Sequence, residues 1–299
     1  MISRKYRAFS LPALALLTVS VLFLSGCGKK EGTGKAGASA DVAVMPDATF
    51  VFAGDFQSMR EAGIYKALKE RQESSGDAEA MQKMNEFARK LEDKLGLQEE
   101  DLRRFVLAGK ILTSDFANMK KEDLAENMEL SFALDLAKGV ALDRIEEMAR
   151  TSAEEEGKQI SIERETLDGA EALVVQEEGK EQPMYVSALS EDKLIVGGTR
   201  DGVVNAVGRL KGKVSTAADV LERTGLEAGD AQWFFAVALT PEMQKALDEQ
   251  IDASAGAGGN PMTANFAKCF KGMNGAVLSV DFTDSMDLAL AFNLADQGQ

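Results

Sequence analysis

Two of this chain's segments are written twice, and no other feature constrains its fold more. DATFVFA (Asp47–Ala53) returns as DAQWFFA (Asp230–Ala236), with Asp, Ala, an aromatic, Phe and Ala at matching places. MELSFALDLA (Met128–Ala137) returns as MDLALAFNLA (Met286–Ala295), with five of the ten positions identical. A helical KAL also recurs, at Lys66–Leu68 and Lys245–Leu247. Both copies keep the same order, so a repeated supersecondary unit is the economical reading.

Each unit reads strand, helix, strand, strand. The first copy, about 47–137, opens with an apolar strand at Thr49–Ala53. A helix follows with Phe56, Met59, Ile64, Ala67 and Leu68 on one side. The spacing predicts a second helix over about Asp77–Leu95, which carries Met81, Met84, Phe87, Ala88, Leu91 and Leu95 and is closed by Gly96. Strands at Phe105–Leu112 and Met128–Leu136 complete the unit. In the second copy, about 230–295, Thr240-Pro241-Glu242 supplies an N-cap, a first-turn proline and an acid at the positive helix end. That helix runs to about Ile251. The connector Ala253–Pro261, a short helix and paired strands Gly275–Phe282 and Met286–Leu294 follow.

The inserted segment, about 138–229, has the same texture. It predicts a helix at Ala141–Ala153 and strands near Ile160–Glu163, Ala172–Gln176, Met184–Leu189 and Lys193–Gly197. Helices about Gly202–Leu210 and Ala217–Arg223 close it. The expected fold is α+β: a mixed, largely antiparallel sheet with helices on one face, built from two pseudo-repeated β-α-β-β units in one domain over 45–299.

The N-terminus carries a different kind of information. Arg4, Lys5 and Arg7 precede an apolar run from Phe9 to Leu24, which is short for a membrane span and is weakened by Pro12. Leu24-Ser25-Gly26-Cys27 ends it. This segment resembles the lipobox of bacterial lipoproteins. The resemblance implies a signal peptide over 1–26, lipidation of Cys27, and acylation (palmitate or a similar chain) of its new amine. Two or more acyl chains make a stable anchor, since each buried methylene contributes ~0.8 kcal/mol. Gly28 stands where lipoproteins kept in the inner membrane often carry Asp, which implies an outer-membrane address facing the periplasm. Residues 27–44 read as the lipidated cysteine and a flexible tether rich in Gly, Lys, Ala and Ser. The body has the texture of uncharacterised envelope lipoproteins, with no family motif to match.

Composition excludes more than it assigns. The chain has 299 residues, no histidine and a formal charge of −15. Removing a signal peptide takes away three basic residues and no acidic one, so the exported part is more acidic still. That argues against nucleic acid and against docking on anionic lipid through basic patches. Without histidine there is no Ser-His-Asp or Cys-His catalysis, no histidine-ligated metal and no imidazole switch. With Cys27 committed to lipid, Cys269 has no disulfide partner in the chain, and its place in NFAKCFKGM suits a small buried thiol.

Each fragment of chemistry in the sequence has a plainer reading. Ser190 and Lys193 share the serine-x-x-lysine spacing of penicillin-binding enzymes, but the segment lies where a hairpin turn is expected and the companion motifs are absent. GTGKAGAS fails the spacing of a phosphate loop and lies in the tether. Asp281, Asp284 and Asp287 flank a turn and could offer oxygen ligands to a hard cation, although they lack the calcium-loop pattern. Met81, Met84, Met128, Met243, Met273 and Met286 could line an adaptable pocket or simply fill core. No catalytic, metal or cofactor residue is assigned. The expectation is a lipid-anchored, non-catalytic envelope protein with a binding or scaffolding role of unassigned specificity, its partners the membrane through acylated Cys27 and either a protein or an amphipathic ligand. The alternative is a carrier or sensor of an amphipathic small molecule.

Overall fold

The computed structural model describes residues 48–63, 65–67, 91–113, 128–180, 182–189, 193–210, 218–226, 231–256 and 270–294. Ten strands run through them: β1 (Phe50–Asp55), β2 (Leu102–Ile111), β3 (Met128–Leu136), β4 (Ile160–Leu167), β5 (Ala170–Glu177), β6 (Met184–Leu189), β7 (Leu194–Gly198), β8 (Trp233–Ala238), β9 (Met273–Phe282) and β10 (Met286–Leu294). They form one sheet in the order β10-β9-β8-β1-β2-β3-β7-β6-β5-β4. The helices are α1 (Phe56–Glu61), α2 (Leu142–Glu156), α3 (Arg200–Leu210), α4 (Ala218–Thr224) and α5 (Pro241–Gly256).

The α+β class stands, with two corrections. The sheet is not mixed: every pairing among the described strands is antiparallel. Most neighbours follow one another in the chain, and the two distant joins, β1 with β8 and β3 with β7, also meet head to tail. Nor do helices cover one face only. On one face Val51, Ala53, Val106, Ala133, Val196, Ala236 and Val277 pack with Val203 and Val207 of α3 and Val220 of α4. On the other, Phe52, Phe105 and Trp233 pack with Met59 of α1, while Leu136, Leu173 and Ile195 pack with Leu142 and Ile145 of α2. The unbroken apolar runs FVFA and WFFAVA encode this, since a strand buried on both faces has no polar side to alternate with. Val and Ala predominate on the first face, while the aromatic cluster around Trp233 lies on the other.

Local signals explain several boundaries. Asp55 caps α1 by accepting from the Ser58 amide at 2.8 Å. Asp168 (φ 46°) and Gly169 (φ 83°) make the two-residue turn between β4 and β5, where Leu167 pairs with Ala170. Gly157 ends α2 in the left-handed region with its N–H on the carbonyls of Ala153 and Glu154. Most of the helix expected over Asp77–Leu95 lies outside the described residues, as do Cys27, the tether, Ser190, Cys269, Met81 and Met84.

The two ends of the sheet differ in kind. At the β4 end, the Arg164 guanidinium sits 2.5 Å from Asp143, 2.7 Å from Glu146 and 3.3 Å from Glu171, and Arg200 meets Glu165 at 2.8 Å. Arg164 and Arg150 together hold the Glu146 carboxyl below the usual range. At the β10 end, Leu288, Leu290, Phe292 and Leu294 are 49, 58, 37 and 47 % exposed. Among the described residues only Leu112 joins them as a large exposed hydrophobic.

Candidate functional site

Two regions carry unusual chemistry: a polar row at one end of the central strands, and the apolar β10 strip. In the polar row, the register sets Asp55 of β1 opposite Arg104 of β2, and Arg104 opposite Asp135 of β3. A bulge between Leu102 and Arg104 lets two consecutive arginines, Arg103 and Arg104, stay exposed between buried Leu102 and Phe105. Asp55 is 5 % exposed and its Oδ2 lies 3.5 Å from Arg104 Nε. Burial pushes the Asp135 carboxyl above its usual range; Arg104 and Arg103 pull it down, and the nearby Asp55 charge pushes it up.

Gln232 extends the row toward β9. Its amide donates to Asp281 Oδ1 at 3.0 Å, its carbonyl accepts from the Asp55 amide at 2.9 Å, and its side chain exchanges bonds with the backbone of Phe282. The buried Trp233 indole N–H donates to the Asp55 carbonyl at 3.3 Å, and its ring meets Phe52, Phe56, Phe105 and Phe282 edge-on. Asp55 is thus committed to a helix cap and a guanidinium. The arrangement is a charge-balanced lock that ties α1 and β1–β3 together, with the Asp135 carboxyl raised mainly by its burial.

The residues singled out from the sequence scatter. Lys193 lies in the β6–β7 hairpin connection with φ 56°, in the turn that the spacing predicts. Asp281 and Asp287 stand directly opposite one another, but Asp281 accepts from Gln232 and Asp287 from Ser285 Oγ at 3.4 Å, while Asp284 is exposed. Among the described residues no group of three or more acidic or thiol side chains is arranged to hold a metal ion. Met243 is buried; Met128, Met273 and Met286 are half-buried. Sequence reasoning missed the Asp55–Arg104–Asp135 row, whose members lie some fifty and thirty residues apart. The doubled arginine between two buried positions was its one visible trace.

The β10 strip is built by alternation. In MDLALAFNL the leucines and Phe292 fall on one face, opposite Val280, Leu278 and Ala276 of β9, and alanines fall on the other. Phe292 is met edge-on by Phe270 at 4.9 Å between centroids, and the Asn293 amide donates to the Thr224 carbonyl at 2.6 Å. Beyond β10 the sheet has no further strand among the described residues. No protein-family model matches this chain, and neither the curated proteins nor the solved structures contain a match.

Proposed function

We propose that this is a lipid-anchored envelope protein, held through acylated Cys27 on the extracytoplasmic side of a membrane, which acts without catalysis as a binding scaffold. In a host with two membranes its place is the outer one, facing the periplasm. The observation that carries the binding role is the apolar, solvent-exposed β10 strand, the last strand among the described residues, at the end of a sheet whose opposite end is laced with ion pairs. A soluble chain rarely leaves an alternating apolar edge bare unless something covers it.

The two-unit architecture belongs to the same reading, and the register supports it. Phe52 and Phe235 occupy corresponding places in the repeat and pair with each other, with Phe50↔Val237 and Gly54↔Trp233 arranged symmetrically about them. Outward from that pair, Ala53–Val106–Ala133 in one half corresponds to Ala236–Val277–Ala291 in the other. Identical triplets three strands deep are what two copies related by a two-fold through the sheet would give. On this reading β3 and β10 are equivalent strands, and the insertion 138–229 adds β7 to the edge of β3 alone.

The anchor is tested by growing cells with an alkyne-bearing fatty acid. The mature chain takes the label and stays with the membrane fraction, and Cys27→Ser loses both. A Cys27→Ser chain that remains membrane-bound at its full unprocessed mass would overturn the reading in favour of an uncleaved N-terminal helix.

A further inference from the structure

We infer that the β10 edge pairs with β10 of a second copy, joining two sheets antiparallel across a two-fold. The inference rests on the scaffold reading for its biological sense, and on the exposed strand for its geometry. Three observations point to a second copy rather than to an unrelated chain.

The first is self-complementarity. Leu290 is the middle residue of β10 (Met286–Leu294), so full overlap centres the two-fold there. Leu290 then faces its own copy, Leu288 faces Phe292, and Met286 faces Leu294. The exposed apolar side chains all meet on one face, and the alanines meet on the other. An isologous interface needs this property of the strand itself, because each residue must be acceptable to its symmetry mate.

The second is charge. The chain carries −15 overall, yet β10 holds a single charge, Asp287. In the centred register Asp287 lies opposite Asn293 of the copy, so the carboxylates are not juxtaposed. The outer edge of β10 carries no lysine or proline of the kind that deters pairing and one charge, Asp287, near its end, whereas β4 carries Glu163, Arg164 and Glu165 along its middle.

The third is precedent within the molecule. The β1–β8 seam is already an antiparallel join, symmetric about Phe52–Phe235, between strands of the same sequence type. The β10 join would repeat that arrangement at the end of the sheet. The row Phe235–Leu278–Leu290 would then continue into the same row of the partner copy.

The test uses the full chain in its own membranes, with Cys269→Ser as background and single cysteines introduced along β10. Residues directly opposite in an antiparallel pair have Cα atoms about 4.5–5.5 Å apart, within disulfide reach. Leu290→Cys therefore gives a covalent homodimer under mild copper–phenanthroline oxidation. Ala289→Cys is displaced two residues from its own copy, about 8 Å from the strand spacings, and gives roughly tenfold less. Leu288→Cys and Phe292→Cys crosslink when coexpressed and not when expressed alone. Raising the salt concentration increases the dimer, because two acidic copies repel less when screened. Leu290→Asp, an exposed substitution, sediments as a folded monomer. The inference is overturned by equal crosslinking at all positions, by adducts to another protein, by a wild-type chain that sediments as a monomer in mild detergent, or by β10 cysteines taking label only from a membrane-soluble reagent. Repeating the crosslinks with Cys27→Ser separates the two ideas: the dimer register survives loss of the anchor, and failure of either leaves the other standing.

Discussion

β3 and β10 have related sequences, with the same residue at about half of their positions, and opposite circumstances. Leu136 is 0 % exposed, covered by α2 and flanked by β7; Leu294, at the matching place in the sequence, is 47 % exposed. The residue types do not explain the difference. What differs is whether a neighbour stands beside the strand: among the described residues segment 138–229 supplies β7 to β3, and no strand flanks the outer side of β10. Burial here belongs to position in the assembly more than to the strand's own letters.

That contrast can be broken from either side. The largest effect is expected at the covered strand: Leu136→Ala should cost about 2–5 kcal/mol in denaturant melts, as a buried leucine truncation does. Leu294→Ala should stay within ~0.5 kcal/mol in the monomeric Leu290→Asp background, as exposed substitutions do. Equal costs would dissolve the comparison. Next comes the neighbour itself. A Cβ at Gly198, where φ is 131°, would stand 2.3 Å from the Leu130 carbonyl and 2.5 Å from Ser131 Cα. Gly198→Ala should therefore loosen β7 from β3, costing about 1–3 kcal/mol, and hydrogen exchange should speed up in β3 without changing in β10.

Smaller effects sharpen it further. Ser131 Oγ is buried with no hydrogen-bond partner, and Ala289 stands at the corresponding position of β10. Ser131→Ala should be neutral or stabilise by up to ~1 kcal/mol in thermal melts, because an unsatisfied hydroxyl is removed. The smallest effect concerns Asp135. A carboxyl raised in the folded state binds its proton more tightly than in the unfolded chain, so its contribution falls as pH climbs from its unfolded to its raised folded value. Asp135→Asn should flatten the stability profile across that acid window, and its benefit at neutral pH should stay under ~1 kcal/mol.

Much of the fold was legible because its strands advertise themselves. Met128–Leu136, Met184–Leu189 and Met286–Leu294 are read from sequence with the bounds they have in the structure. Turn chemistry at Asp168-Gly169 and the cap at Thr240-Pro241 set neighbouring boundaries, with Thr240 Oγ1 accepting from the Met243 amide at 3.3 Å. The second buried face was harder: apolar residues on both sides of a strand make a continuous apolar run, and alternation in MDLALAF, which lies in an exposed end strand, suggested a single covered face. The polar row was out of reach, because only the strand order brings Asp55, Arg104 and Asp135 side by side. The bare edge was equally hidden, since β3 and β10 look alike until their neighbours are known.

The seam between β1 and β8 has a consequence for how the chain is made. Its paired residues lie some 180 positions apart, so β2 and β3 can dock beside β1 long before β8 emerges. Until then the buried middle of the finished sheet is an open edge, with Phe50, Val51 and Phe52 awaiting a partner. Closing so long a loop costs little more free energy than closing one half its length, about 0.6 kcal/mol, but it slows the search. The seam can close only once β8 has been made, and until then the centre of this molecule is the part most in need of a chaperone.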